Sequence, residues 1–281
     1  MSLPGHLLED AIDLGLQTGF GDEYLRIGHV KYFADGGVGA RTAWMVEPFC
    51  DAGTGMATID LGEMQEALEK ADRAGLSVMI HAVGDRANRE VISLFEKLEA
   101  YRKRHGYPGV AIPHRIEHVQ VIQPEDVHRL RVLPLTLCVT PCNMVLDMNL
   151  IDQALAQRGA WSYAFRQLHD SGARVIYSSD SPVCDPQPIA AIHAAVTRKR
   201  PDNTPVDGWH PQERVTVAEA TGAYTTAAAA AHGVSDLGAI RPGARADLVV
   251  LDKNIYAIDP EEILATDVVM TMFDGRIVYE K

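Results

Sequence analysis

The apolar and polar positions of the chain alternate between a short and a long period, and their order predicts a repeated strand-then-helix unit. Residues 76–80, Leu-Ser-Val-Met-Ile, form a run of strand character whose apolar density suits a strand covered on both faces. His81 stands at its carboxyl end. A Gly84-Asp85 turn follows and leads into a helix over residues 86–101, with Asp85 placed to accept from its free N–H groups. The device recurs along the chain. Residues 27–33 predict a strand carrying Lys31, residues 112–120 one with His118 near its end, and residues 173–180 one ending in Asp180-Ser181-Pro182. Residues 135–141 predict a further strand, followed by a long loop and a helix over residues 161–171.

Helices are expected at residues 7–16, with no strand ahead of them, and at residues 61–74, opened by Asp60 and closed by Gly75. Shorter or later ones are expected at residues 124–130, 188–199 and 216–231, the last with a Thr216…Glu219 capping box. The tail changes character. Residues 238–251 read as a turn and a strand, and residues 268–273 and 276–279 flank an Asp274-Gly275 hairpin turn. We therefore expect an α/β protein of about five βα units over residues 1–235 and a small β appendage over residues 236–281.

Length and charge narrow the options. A chain of 281 residues suffices for a large single α/β domain, and its net charge of −12 disfavours nucleic acid or an anionic membrane as partner. No apolar run is long enough to cross a bilayer, and no secretory leader is read at the start. Cys50, Cys138, Cys142 and Cys184 have no disulfide-framework or zinc-finger spacing, so a reduced, cytoplasmic setting is expected. The loop with Gly36, Gly37 and Gly39 lacks the Gly-Lys-Ser/Thr ending of a phosphate loop. A Gly-x-Ser-x-Gly elbow and a dinucleotide fingerprint are missing as well, which disfavours a serine hydrolase or a nucleotide binder.

Parallel strands joined by right-handed crossovers place their carboxyl ends on one rim. Lys31, His81, His118 and Asp180 then approach one another there. Taken singly, a strand-end histidine is commonly structural, a lysine solvated and an aspartate before a Ser-Pro step a turn former. Taken together, two imidazoles, a carboxylate and an amine on separate rigid supports suit a catalytic metal with an open position. Asp35 and Arg41 flank the glycine loop, where either substrate contact or pairing within the loop would employ them. Arg115 and Glu117 are expected to form a structural ion pair.

The stretches Val30-Lys31-Tyr32-Phe33-Ala34-Asp35-Gly36, His81-Ala82-Val83-Gly84-Asp85-Arg86-Ala87, Arg115-Ile116-Glu117-His118-Val119-Gln120 and Ser179-Asp180-Ser181-Pro182 carry a resemblance. In this order they resemble the amidohydrolase superfamily, in the branch of the N-substituted formamide deformylases. The tail from Leu237 to Asp252 resembles that branch too. The resemblance implies a partial (β/α)8 TIM-type barrel, strands four to eight, with a C-terminal remnant of a β-sandwich. It implies a metal-dependent hydrolase of amide-like C–N bonds in a small molecule, using one or two zinc ions. Lys31 matches a metal-bridging carboxylated lysine, His81 and His118 match histidine ligands, and Asp180 matches the aspartate that binds metal and moves the proton of the attacking water. Asp35 and Arg41 are the candidate substrate contacts.

The sequence departs from that pattern in places. It contains no His-x-His pair, Ser181 stands where the branch commonly has Trp, and Thr140-Pro141 where Gln-Pro is common. Two expectations follow. The alternative to an active hydrolase is a truncated, catalytically inactive fragment. The strand of Lys31 should be an open sheet edge, covered in a homo-oligomer.

Overall fold

The computed structural model describes residues 1–281. Contacts cluster into two compact units, residues 1–139 with 149–174 and residues 140–148 with 175–281. In chain order the sheet strands are β1 (Leu3–Pro4), β2 (Val30–Phe33), β3 (Val78–Ala82), β4 (His114–His118), β5 (Leu135–Val139) and β6 (Arg174–Tyr177). They follow one another in the sheet in that same order. The pairings from β1 to β5 are all parallel. The helices are α1 (Leu8–Asp13), α2 (Leu61–Arg73), α3 (Asp85–His105), α4 (Pro124–Leu130), α5 (Pro141–Leu155), α6 (Phe165–Asp170), α7 (Pro188–Thr197), α8 (Val217–Tyr224) and α9 (Thr226–Ala231).

One face of the first unit's sheet is its core. Val30, Val78, Ile80, Ala82 and Ile116 alternate inward along their strands and are fully buried. They pack under α2, which buries Met64, Leu68 and Ala71, and α3, which buries Val91, Ile92, Leu94, Phe95 and Leu98. Each such side chain contributes about 1.5–3 kcal/mol when fully withdrawn from water. Asp60 caps α2 by accepting from the N–H groups of Gly62 and Glu63, as its sequence position predicts.

Behind β4 lies a buried polar cluster. Arg102 Nε donates to Asp72 Oδ2 at 2.9 Å, and its Nη2 donates to Oδ1. Tyr107 Oη donates to Oδ2 at 2.8 Å, and Val110 N reaches Oδ1 at 3.2 Å. His114 Nδ1 accepts from Val78 N at 2.9 Å, so its proton is on Nε2, 3.1 Å from Asp72 Oδ1. The cluster ties α2, α3 and β4 together at a point where every partner is removed from water.

Four expectations need correction. First, a strand does precede Lys31: Leu3 pairs with Val30 and Pro4 with Lys31, so the open edge of β2 is reduced to its last residues. Two residues are too short to carry a period-2 pattern. Second, α5 occupies the stretch expected to be loop. Met144, Met148, Ile151 and Leu155 recur at helical spacing and are all buried, a stripe diluted in the sequence by Asn143, Asp147, Asn149 and Asp152. Third, α3 starts at Asp85 itself with Gly84 as its cap residue, and runs on to His105 before the left-handed Gly106. Asp85 is no cap: its carboxylate accepts from Val46 N at 2.8 Å and from Gln123 Nε2 at 2.7 Å. Fourth, the predicted helix over residues 216–231 is broken at Thr225 into α8 and α9, its capping box intact.

In the second unit a separate antiparallel sheet is formed by β7 (Leu248–Leu251), β8 (Val268–Phe273) and β9 (Arg276–Glu280). The β8–β9 turn is the predicted Asp274-Gly275, with φ of 50° and 74° as a tight two-residue hairpin requires. No helix is long and apolar enough to cross a membrane.

Candidate metal centre

The face of the sheet opposite α2 and α3 is where the chemistry lies. Register sets Lys31 level with Met79 and Arg115, and Phe33 level with His81 and Glu117. Residues two apart share a face, so Lys31, Phe33, His81 and Glu117 point to the same side. His118 is level with Ala82, whose side chain faces the core. Strict alternation would bury its ring under the helices. The backbone breaks the alternation instead: His118 has a φ of 73° and the β-branched Val119 a φ of 45°, both in the left-handed region. The His118 ring thereby comes to the edge of the His81 ring, with centroids 4.5 Å apart and an interplanar angle of 70°.

His81 is fixed by its neighbours. Its Nε2 lies 3.0 Å from the Gly36 carbonyl oxygen, which can only accept, so Nε2 carries the proton and Nδ1 of the neutral ring keeps its lone pair. The Phe33 ring packs 5.3 Å away, and the Lys31 ammonium lies over Phe33 at 4.9 Å. Burial pushes the His118 imidazole down to about 3, helped by the positive charge of His81 and Lys31. At neutral pH His118 is therefore an unprotonated nitrogen donor.

Asp35 holds the loop in place. Its oxygens accept from Val83 N at 3.0 Å, Gly84 N at 2.7 Å and Trp44 N at 2.8 Å, and Oδ1 lies 3.6 Å from His81 Nε2. Burial pushes its carboxyl up to about 6, although the three backbone N–H groups favour the anion. Arg41 turns to Asp51, with Nε at 2.7 Å from Oδ1 and Nη2 at 2.7 Å from Oδ2, a pairing within the loop. Arg115 and Glu117 form the expected ion pair at 2.9 Å.

Two features of this neighbourhood were hidden in the sequence. The Asn88 amide nitrogen lies within 3.2 Å of the carbonyl oxygens of Ala82, Gly84 and Val121, joining the ends of β3 and β4. Its only signal is an asparagine in the first turn of α3. Gly84 is the other: a Cβ there would lie 2.0 Å from the Trp44 carbonyl oxygen, which accepts from Arg86 and Ala87. Gly84→Ala is expected to lower the unfolding free energy by about 3 kcal/mol through backbone overpacking. Urea denaturation checks it, and an unchanged midpoint would contradict this packing.

Asp180 belongs to the second unit. It follows β6 with a φ of 53°, its carbonyl accepts from Val183 N at 2.8 Å, and a cis Ser181–Pro182 bond comes next. Its charge, with that of Asp147, raises the Cys184 thiol beyond what burial does first.

The donor chemistry fits a divalent cation in part. Two imidazoles in edge contact, one of them held unprotonated and the other with its tautomer fixed, are what an N-liganded metal needs. A tight group of three His, Cys, Asp or Glu side chains is not formed among the described residues. The structure thus joins His81, His118 and Lys31, sets Asp35 behind them, and turns Arg41 to Asp51.

Comparison with known proteins agrees with this arrangement. Residues 2–279 match the model of the amidohydrolase family. YtcJ of Bacillus subtilis (strain 168) is 30% identical over 92% of this chain and 48% of its own length. The N-substituted formamide deformylase of Arthrobacter pascens is 27% identical over 92% of this chain and 46% of its own. A crystal structure of an uncharacterized metal-dependent hydrolase from Pyrococcus horikoshii OT3 superposes with a TM-score of 0.79. It is 28% identical, covering 92% of this chain and 50% of that one. The chain spans about half the length of the curated relatives it matches. From its second residue almost to its last, the chain belongs to the amidohydrolase family.

Proposed function

We propose that this chain carries the metal-binding strands of a hydrolase that cleaves amide-like C–N bonds in small molecules. The observation that carries the reading is the His81–His118 pair, delivered to one face by a left-handed break in β4. Zinc suits imidazole donors of this kind. The parallel strands are read as an arc of a (β/α)8 barrel, in which such residues line the carboxyl-end rim.

His81, oriented by the Gly36 carbonyl, and His118 would hold the ion. The ion, when bound, supplies Lewis-acid polarisation of a carbonyl and acidification of water. The positive charge of Lys31 helps to keep His118 unprotonated, so the pair is ready without a prior proton loss at neutral pH. Asp35 maintains the turn that aims His81, through its bonds to Val83 and Gly84. Asp180, by family resemblance, takes the proton of the attacking water and passes it to the leaving amine. The amide-like substrate is supported by the name of one relative, an N-substituted formamide deformylase.

Titration of the metal-stripped chain with zinc chloride tests the centre, with release of amine from simple N-alkyl amides testing the reaction. One saturable zinc site is expected. Zinc binding no tighter than millimolar would overturn the reading.

A further inference from the structure

A cavity of about 270 Å³ opens within the second unit. α5 lines it with Cys142, Val145 and Leu146, the segment after Asp180 with Val183 and Cys184, and α7 with Ala190. The charged and polar groups on its wall are already paired. Lys199 is bridged to Glu261, His193 Nε2 lies 3.3 Å from Asn203 Oδ1, and Asp185 accepts from Gln187 N at 3.2 Å. The thiols are neutral as well. Burial pushes Cys142 up to about 11, aided by Cys184 and Asp185, and Cys184 Sγ lies 2.8 Å from Asn143 Oδ1 as a donor. The wall therefore offers a neutral, largely apolar surface to whatever enters.

The cavity adjoins the residue assigned to proton transfer. Asp180 is close enough for its charge to act on Cys184, a wall residue four positions on. We propose that this cavity is the subsite for a compact apolar substituent of a neutral amide substrate, with the amide bond at the Asp180 end. The assignment rests on the hydrolase reading given above. It adds the class of substrate: an uncharged amide bearing a small alkyl or similar group, rather than a peptide terminus or an acid. An anionic group would meet the carboxylates of Asp180 and Asp185, and a cationic one would have to separate a formed ion pair.

N-Butylacetamide and N-methylacetamide are the probes, titrated into the full chain and followed by protection of Cys142 from N-ethylmaleimide and by ligand-observed NMR. A buried methylene is worth about fourfold in affinity, so the butyl amide should bind roughly sixtyfold tighter. Ala190→Leu fills the cavity from α7, and Val145→Phe fills it from α5. Either variant should abolish the difference between the probes. Equal affinities in the wild-type chain, or a difference that both variants retain, would overturn the assignment. Binding is read without turnover, which separates the two readings. A chain that binds the butyl amide in this way but releases no amine supports the subsite and overturns the hydrolase reading. A chain that hydrolyses both amides without an affinity difference does the reverse.

Discussion

Replacing Asp72 by alanine is expected to remove about 3–5 kcal/mol of unfolding free energy, the usual cost of orphaning one partner of a buried ion pair. Three side chains depend on this carboxylate. Arg102 would be left charged between α2 and α3, Tyr107 would lose its acceptor, and the Nε2 proton of His114 would face no anion. Burial alone would raise the Asp72 carboxyl, but its bonds to Arg102 and His114 hold it well below the usual carboxylate range. Burial also lowers the His114 imidazole, against the pull of Asp72. Both shifts have the same sign for stability. The unfolded chain binds more protons than the folded one below the ordinary histidine value of 6.5 and again below the ordinary aspartate value of 3.8. Stability conferred by His114 is thus full above 6.5 and declines as pH falls through it, and that of Asp72 declines as pH falls below 3.8. Urea denaturation between neutral pH and pH 3 reads both effects. A loss under about 1 kcal/mol in Asp72→Ala would deny the cluster its role, since that is the range of an exposed pair.

The second large effect is at His118. His118→Ala should weaken zinc binding a hundredfold or more, on the order of the upper cost of losing even an outer hydrogen-bond partner of a ligand. His128→Ala, on the exposed side of α4, should leave the affinity unchanged. Calorimetric titration with zinc chloride compares the three proteins. If His118→Ala binds zinc as the wild type does, the ion is not held at the His81–His118 pair.

The strands bearing Lys31, His81 and His118 were legible because each is a short apolar run closed by a glycine, a proline or a polar turn. That His81 and His118 adjoin followed from parallel pairing. What brings their rings together did not: the left-handed step at His118–Val119 is adopted by two residues with no preference for it, imposed by the packing around them. The buried partnership of Asp72 with His114 joins residues 42 apart, and neither position differs in pattern from a solvated one. β1 was too short to read, and the helical stripe of α5 was diluted by asparagines and aspartates that propensity assigns to loops. Asp85 was misjudged by one residue of helix start. That single step changes a carboxylate from a cap into an anchor for Val46 and Gln123.

The strand order has a consequence for biosynthesis. In the first unit each strand neighbours the one made just before it and the one made just after. A nascent chain leaving the ribosome can therefore add β2 to β1, then β3 and β4, without waiting for a distant partner to emerge. Misregistered growth is resisted at every stage, because a one-residue slip would send Ile80 and Ile116 to the wrong side of the growing edge.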